Sequence, residues 1–438
     1  MHKLFPLIML SCVLFVAGCS GTTISGSGGG SQPTTPSSAS NILALTVDGG
    51  PATARQSGYI YSNAAFATAT ICAPGSTTNC VTIDHLLVDT GSTGLRVFES
   101  EVASLNLPAV NASTSSPAYD CVNFVDASFL WGPVEQADVT LSGEVASKLS
   151  LQVISSSSTG IPSSCANGST QNNNSAASLG ANGILGVGLE KTDCDSPGGS
   201  ACDPGSGLQS PPYPAYYTCS GSSCSPAFVS VANQVTNPAV LFPTDNNGVI
   251  IELPSVNVSA ATLNGSLVFG IGTESNNQLP SGTHVFTVAC DAFTTTLSGH
   301  TFGITDPSTC AGQGSFIDSG SNGLFFPNVT SIPVCSSSSP AGNISGFYCP
   351  TSTENLSATN LGVNGTTQAT AFAVGNAEDL FTGSGTENSA AYSTLAGPNP
   401  SGVGFDWGLP FFYGVNVYSA IAGQKVPSGQ PAAPWWAY

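Results

Sequence analysis

The sequence predicts an all-β fold, and three observations lead to that prediction. Along most of the chain, short apolar segments alternate with turns rich in Gly, Pro, Asn and Ser. Only 7% of the 438 residues are charged, and much of the remainder is Gly, Ser, Thr and Asn, which favours strands and turns over long helices. No long segment has helical periodicity, and none beyond the N-terminus resembles a membrane span.

Strands are predicted where apolar residues gather between turn residues. They are expected at residues 42–47, 67–71, 81–88, 249–253, 266–269 and about 285–288. A chain of this length can bury one or two sizeable cores. We therefore expect two β lobes, the N-terminal one at residues 42–235 and the C-terminal one at residues 236–438.

The N-terminus has the features of an exported lipoprotein. Residues 1–18 combine a basic start, an apolar run too short to span a bilayer well and small residues before a break, as in a secretory signal peptide. The motif Val-Ala-Gly-Cys that ends at Cys19 resembles the bacterial lipobox, in which the Cys becomes lipidated. A plain signal peptide with a chance Cys is the alternative. Residues 19–41 are rich in Ser, Gly and Thr and predict a flexible tether.

The lipobox resemblance implies that the protein lies in the bacterial cell envelope and is anchored to the membrane by the lipid on Cys19. Ser20, which follows the Cys, favours the outer membrane, with the protein facing the periplasm or the cell surface.

The cysteine count also predicts export. Of 14 Cys residues, Cys12 lies in the signal peptide and Cys19 is the anchor, which leaves an even number for disulfides. Connectivity is open, and pairing of neighbours is the first hypothesis. It pairs Cys72–Cys80, Cys121–Cys165, Cys194–Cys202, Cys219–Cys224, Cys290–Cys310 and Cys335–Cys349. Close-spaced Cys pairs with His are missing, so we expect no metal and no other cofactor.

The charge balance restricts the partners. Six Lys and Arg stand against 25 Asp and Glu, a formal net charge of −19. Nucleic acid is not expected as a partner, because its phosphates must be neutralised by basic side chains. So few basic residues also leave few salt bridges to lose when carboxylates become protonated, which favours tolerance of an acidic environment.

Two short segments share one motif. Residues 86–98 read Leu-Leu-Val-Asp-Thr-Gly-Ser-Thr-Gly-Leu-Arg-Val-Phe, and residues 315–327 read Ser-Phe-Ile-Asp-Ser-Gly-Ser-Asn-Gly-Leu-Phe-Phe-Pro. When Asp89 is set on Asp318, both segments have Asp, Gly, Ser, Gly and Leu at the same offsets. One such triplet is common in turns, but two copies with matching flanks are far more specific.

Such a pair of turns favours a shared proton. Two carboxyl groups within a few ångströms do not both ionise readily; the ionised one can activate a water while the neutral one donates to a carbonyl. The aspartic-protease dyad is the standard example. The small neighbours fit this chemistry. A Gly lets backbone N–H groups approach the carboxylate, a Ser hydroxyl can donate a hydrogen bond to its outer oxygen, and a short Thr or Ser can link the two turns to each other. They are Thr90, Gly91 and Ser92 in the first turn and Ser319, Gly320 and Ser321 in the second.

These motifs together resemble the two-lobed pepsin-like aspartic peptidases. That family also has an apolar-apolar-Gly segment behind each catalytic turn. Ile184, Leu185 and Gly186 match it closely, and Trp407 with Gly408 matches it more loosely. Lipobox, tether and dyad also resemble an uncharacterised family of bacterial lipoproteins.

The chain departs from the peptidase family at the flap, the hairpin that covers substrate. Phe124 stands in place of the flap Tyr, with Asp126 and Ser128 after it, and Arg96 replaces a Trp. Trp131 or Arg96 could cover substrate instead. Alternatively, Trp131 packs in a core and Arg96 pairs with nearby acids. The Lys-rich prosegment of many family members is missing from the tether.

The resemblance implies a monomeric, lipid-anchored aspartic endopeptidase that acts on polypeptides through Asp89 and Asp318, without a metal or a covalent intermediate. The alternative is a catalytically inactive envelope lipoprotein that binds peptide or glycan on the same scaffold. A Ser or Cys nucleophile lacks a supporting His, and nothing beyond the two carboxylates favours a glycosidase.

Overall fold

The computed structural model describes residues 40–56, 61–113, 116–157, 160–169, 171–195, 201–208, 215–342, 344–386, 388–399 and 403–438. The predicted signal peptide, Cys19 and almost all of the predicted tether lie outside the described residues. The protein is mostly β, with 42% of residues in strands and 10% in helices, as the composition predicts.

Helices are short throughout the described part of the chain. The α-helices are α1 (Ala52–Gln56), α2 (Glu99–Val102), α3 (Ser163–Ala166), α4 (Ala176–Leu179) and α5 (Ala377–Thr382). Single 3₁₀ turns lie at Ala103–Leu105, Pro204–Ser206, Val231–Asn233, Pro238–Leu241 and Leu409–Phe412. Among these described helices, none has the length and apolar character that crossing a membrane requires.

The strands before residue 240 contain every strand predicted for this part of the sequence. They are β1 (Ile42–Val47), β2 (Ala65–Cys72), β3 (Cys80–Asp89), β4 (Thr93–Phe98), β5 (Asn111–Ser113), β6 (Ser116–Asn123), β7 (Phe129–Leu141), β8 (Glu144–Ile154), β9 (Gly183–Val187), β10 (Tyr216–Ser220) and β11 (Ser223–Pro226).

The later strands are shorter, and they too include those predicted. They are β12 (Gly248–Glu252), β13 (Ser259–Ala260), β14 (Leu263–Phe269), β15 (Val285–Thr287), β16 (Thr294–Leu297), β17 (His300–Phe302), β18 (Ile304–Asp306), β19 (Ala311–Gly312), β20 (Phe316–Ile317), β21 (Leu324–Phe326), β22 (Glu354–Leu361), β23 (Thr367–Val374), β24 (Ala391–Tyr392), β25 (Ala396–Pro398), β26 (Asp406–Trp407), β27 (Val417–Ala420) and β28 (Trp435–Ala437).

Six strands of the first half form a closed sheet. The order is β2, β3, β9, β4, β8 and β7, and β7 pairs again with β2. Alternate side chains of a strand point to opposite faces, so one apolar set fills the interior. Val88, Leu95 and Val97 are among the fully buried residues of this core.

Strand β9 runs between the two strands of the first Asp turn. It lies parallel to β3, with Asp89 opposite Gly186, and antiparallel to β4, with Gly94 opposite the same Gly186. A Cβ atom on Gly186 would lie 2.8 Å from the backbone nitrogen of Gly94, so a residue without a side chain is required. The apolar-apolar-Gly segment therefore supports the turn from behind.

The second Asp turn is held in the same way. Strand β26 lies parallel to β20 and antiparallel to β21, with Phe316 opposite Asp406 and Leu324 opposite Trp407. A Cβ atom on Gly408 would lie 2.1 Å from the carbonyl oxygen of Gly323. The repeated sequence motif thus forms a repeated structure.

One continuous sheet connects the first half of the chain to the second. Strand β1 pairs with β2 on one side and with β14 on the other, and β12, β27, β28 and β15 follow in that order. Asn41, which composition assigns to the tether, is instead buried, and its side-chain amide donates to the carbonyl of Phe269 at 3.0 Å.

All six predicted disulfides are present. They join Cys72–Cys80, Cys121–Cys165, Cys194–Cys202, Cys219–Cys224, Cys290–Cys310 and Cys335–Cys349. Such a number of structural disulfides is typical of proteins that work outside the cytoplasm.

Candidate active site

The two Asp turns bind each other through reciprocal hydrogen bonds. The backbone N–H of Thr90 donates to Ser319 Oγ at 3.1 Å, and the backbone N–H of Ser319 donates to Thr90 Oγ1 at 2.9 Å. Each hydroxyl then donates to a carbonyl on the opposite side, Thr90 to Ile317 at 3.2 Å and Ser319 to Val88 at 2.8 Å. Four bonds with approximate twofold symmetry therefore fix one turn against the other.

Each carboxylate accepts hydrogen bonds from its own turn. The N–H of Gly91 donates to Asp89 Oδ1 at 2.8 Å, and the N–H of Gly320 donates to Asp318 Oδ1 at 2.9 Å. The hydroxyl of Ser92 donates to Asp89 Oδ2 at 2.5 Å. These bonds leave both carboxyl groups in fixed orientations.

The two carboxyl groups lie close together on either side of Gly320. A Cβ atom on Gly320 would lie 2.7 Å from Asp89 Oδ1 and 3.2 Å from Asp318 Oδ1. These two oxygens are therefore within about 6 Å of each other, the range in which like charges affect each other's ionisation strongly.

Both carboxyl groups line a cavity of about 280 Å³, called here the dyad cavity. Its walls also include the predicted flap residues Phe124, Asp126 and Ser128. The remaining lining residues are Tyr61, Leu87, Gln171, Asn172, Asn173, Ser178, Leu179, Ile184 and Gly320. Tyr61 and residues 171–173 were not predicted from the sequence, because they lie in loops without a recognisable motif.

The tip of the hairpin formed by β6 and β7 shares cavity walls with the first turn. The N–H of Phe124 donates to the carbonyl of Ser128 at 2.9 Å, and the N–H of Ser128 donates to Asp126 Oδ1 at 2.7 Å. Phe124, Asp126 and Ser128 line the dyad cavity, whereas Val125 lines a second cavity. The tip therefore borders both cavities.

The second cavity, called here the side cavity, has a volume of about 290 Å³ and lies beyond Thr90 and Gly91. Apolar side chains such as Leu189, Phe316 and Trp436 form much of its wall. Glu190 and Asp291 also line it and hydrogen-bond to each other. Burial, followed by the charge of Asp291, raises the pKa of Glu190 to about 9, and burial also raises the pKa of Asp291.

The chain matches one protein-family model. The family model described as a protein of unknown function, DUF3443, matches residues 37–438. The chain belongs to this family. No curated protein sequence matches it. Among solved structures, it is similar to the crystal structure of an aspartic proteinase from Irpex lacteus, with 15% sequence identity, a TM-score of 0.42 and coverage of 86% of this chain and 93% of that chain.

In this DUF3443 member, Arg96 does not lie at the dyad cavity, which corrects its assignment to the substrate face. The side chain is only 1% exposed and its guanidinium pairs with Asp120 and, at 3.0 Å, with Asp193. One guanidinium neutralises only one of two carboxylates, and burial followed by the charge of Asp120 raises the pKa of Asp193 to about 8. Arg96 therefore has the alternative role that the sequence predicts, that of a charge partner for nearby acids.

Trp131 also lies away from the dyad cavity, in strand β7. It is buried, its ring stacks on Tyr119 at 5.5 Å, and it meets the ring of Tyr217 edge-on at 5.2 Å. The residue opposite it on β6 is Cys121, which forms the disulfide with Cys165. Trp131 is thus part of the packing at the base of the hairpin.

The hairpin is braced along β7. The N–H of Phe129 donates to the carbonyl of Gln171 at 3.0 Å, and the N–H of Asn173 donates to the carbonyl of Phe129 at 3.0 Å. The Cys121–Cys165 disulfide joins β6 to helix α3, which precedes that loop in the sequence.

The described residues contain no cluster of three or more His, Cys, Asp or Glu side chains suited to a metal ion.

Proposed function

We propose that the protein is a lipid-anchored aspartic-type endopeptidase with two lobes, in which Asp89 and Asp318 activate a water molecule. The observation that carries this proposal is the reciprocal bonding of Thr90 and Ser319, since it holds the two carboxyl groups within about 6 Å of each other at a cavity. Two Asp turns with only a structural role would not need to face each other through such a set of hydrogen bonds.

The reaction follows from one proton shared by two carboxyl groups. The ionised carboxylate takes a proton from water as the oxygen attacks the peptide carbonyl, and the neutral carboxyl donates its proton to the carbonyl oxygen. The resulting gem-diol returns one proton to the second carboxylate while the first carboxyl protonates the leaving nitrogen. One water is consumed, and the dyad ends in its starting state.

The cavities support an extended ligand. The dyad cavity and the side cavity flank the first turn, and the hairpin tip borders both of them. A polypeptide that crosses the dyad would place side chains in cavities on both sides of the cleaved bond. Walls that are partly apolar suit such side chains.

A binding protein without catalysis is the second candidate. It is favoured by the bracing of the hairpin, because the disulfide and the pairing of Phe129 restrict the opening that a polypeptide would need. Anchoring through Cys19, the cell-envelope location, the polypeptide partner and the monomeric state are proposed from the sequence features described above.

Cleavage of a denatured protein by the full mature chain in detergent tests the proposal. We expect new N-termini to appear at acidic pH, where such a pair of carboxyl groups holds one proton, and pepstatin to block their appearance. Asp89→Asn should abolish cleavage, while Asp379→Asn, the same change at an exposed site on α5, should leave it intact. Tight peptide or glycan binding without cleavage in any variant would favour the second candidate.

A further inference from the structure

A third carboxyl group reaches the dyad through Ser321. Asp406, in strand β26, is only 7% exposed. Ser321 Oγ lies 2.7 Å from Asp406 Oδ2 and 3.1 Å from Asp318 Oδ2. A hydroxyl has a single hydrogen, so Ser321 donates fully to only one of these two carboxyl groups at a time.

The first half of the structure has no carboxyl group at the equivalent position. Ile184 stands opposite Leu87, two residues before Asp89, in the same register in which Asp406 stands opposite Phe316, two residues before Asp318. Ile184 is apolar and 2% exposed. The two turns are therefore alike in their backbone but differ in the charge behind them.

The hydroxyl beside each dyad carboxyl group has a different partner. In the first turn, Ser92 donates to Asp89 itself. In the second turn, Ser321 Oγ is nearer to Asp406, at 2.7 Å, than to Asp318, at 3.1 Å, so the geometry favours donation to Asp406. A negative charge on Asp89 is therefore supported by its neighbouring hydroxyl, whereas a negative charge on Asp318 has to compete with Asp406 for that support.

We propose that Asp406 is a positioning residue that decides which member of the dyad holds the shared proton. The ionised Asp406 takes the hydrogen of Ser321, and its negative charge disfavours a second negative charge on Asp318. Asp318 is then the acid that donates to the peptide carbonyl, and Asp89 is the base that activates water. This inference rests on the proposed function, and it assigns separate roles to two carboxyl groups that the sequence motif leaves equivalent.

The proton balance keeps Asp406 out of the net reaction. In the first step a proton passes from water to Asp89 while the proton of Asp318 passes to the carbonyl oxygen. In the second step Asp89 gives its proton to the leaving nitrogen and the gem-diol returns one to Asp318. Ser321 and Asp406 gain and lose no proton overall, so Asp406 acts through Ser321 and not on substrate.

The pH dependence of kcat/KM for peptide cleavage by the full mature chain tests the assignment. Asp406→Asn removes one negative charge near Asp318, so Asp318 should lose its proton at a lower pH. We expect the alkaline limb of the profile to move to lower pH by about one unit. Asp406→Glu, which keeps the charge, should retain most of the wild-type limb, and Asp379→Asn should retain all of it. Asp406→Ser removes the same charge in a smaller side chain and replaces the Asn variant if that variant does not fold.

A uniform loss of activity at every pH, or a folded Asp406→Asn protein with the wild-type profile, would show that Asp406 has only a structural role. Carbon-13 NMR of labelled Asp carboxyl groups gives a readout that does not need activity. The signal assigned to Asp318, by its loss in Asp318→Asn, should titrate at lower pH in Asp406→Asn than in wild type. Wild type that fails to cleave but shows this shift would reject the proposed function alone, and active wild type without the shift would reject the inference alone.

Discussion

Thr90 and Ser319, far apart in sequence, exchange hydrogen bonds across the centre of the site, each backbone N–H donating to the other's hydroxyl. Both residues are buried, and each hydroxyl donates onward to a carbonyl beside the opposite carboxylate. The separation of Asp89 and Asp318 thus depends on two hydroxyl groups that take no part in the chemistry themselves.

Removing one of these hydroxyls should weaken both the fold and the site. Thr90→Val keeps the shape of the side chain but leaves the buried N–H of Ser319 without its acceptor, a loss of about 1–3 kcal/mol of unfolding free energy. Chemical denaturation measures it. Thr90→Ser keeps the hydroxyl and is the matched control; equal stability of the Val and Ser variants would contradict the role of this bond.

Gly320→Ala should separate the carboxyl groups while leaving most of the fold in place. The added Cβ would lie 2.7 Å from both Cγ and Oδ1 of Asp89, well inside van der Waals contact, so the carboxylate must move. We expect cleavage to fall by about 10²-fold or more, since proton transfer depends on geometry. A variant with wild-type kcat/KM and an unchanged thermal unfolding curve would show that the carboxyl groups need not be this close.

The Glu190–Asp291 pair should make the protein more stable in acid. Because the pKa of Glu190 is raised to about 9, the folded state holds this proton more tightly than the unfolded chain does. Stability from this group is complete below about pH 4, where unfolded carboxyl groups are protonated, and is lost as the pH rises towards 9.

Glu190→Gln should flatten that part of the stability curve. Unfolding free energies measured from pH 5 to pH 9 should fall less steeply with pH in this variant than in wild type. Glu354→Gln, at an exposed position on β22, is the matched control and should follow wild type. Parallel curves for wild type and Glu190→Gln would contradict the raised pKa of Glu190 in the folded state.

The Cys121–Cys165 disulfide should hold the hairpin. It closes a loop with a sequence separation of 44, so replacing both Cys residues with Ser should cost about 2–4 kcal/mol and increase hydrogen exchange in residues 116–133. The Cys219–Cys224 disulfide, with a separation of 5, is the control and should cost less. Unchanged exchange in the hairpin would show that the pairing of Phe129 with the loop at residues 171–173 is sufficient.

The sequence predicted what local patterns encode and missed what the fold brings together. The two Asp turns and their small neighbours are predictable because each turn is one continuous motif. The six disulfides are predictable because each joins a Cys residue to the next one along the chain. The sequence offers two roles for Arg96, covering substrate or pairing with acids, and does not identify the acids, because Asp120 and Asp193 come from distant segments.

Asp406 has no recognisable signal in the sequence. It lies in the loosely matched apolar-apolar-Gly segment, directly before Trp407. Only the register of β26 against β20 shows that its side chain lies at Ser321 and not in an apolar core. Tyr61 and the loop at residues 171–173 had no sequence signal at all, because cavity walls made of loops carry no periodicity.

The most direct test of the two-carboxylate account is the kcat/KM for cleavage of one peptide by wild type, Asp89→Asn, Asp318→Asn and the double variant. Each single substitution should lower kcat/KM by about 10³-fold or more, and the double variant should be no worse than either one, because the two carboxyl groups act as a unit. Losses that multiply in the double variant, or a single variant that cleaves like wild type, would contradict a shared proton as the source of the activity.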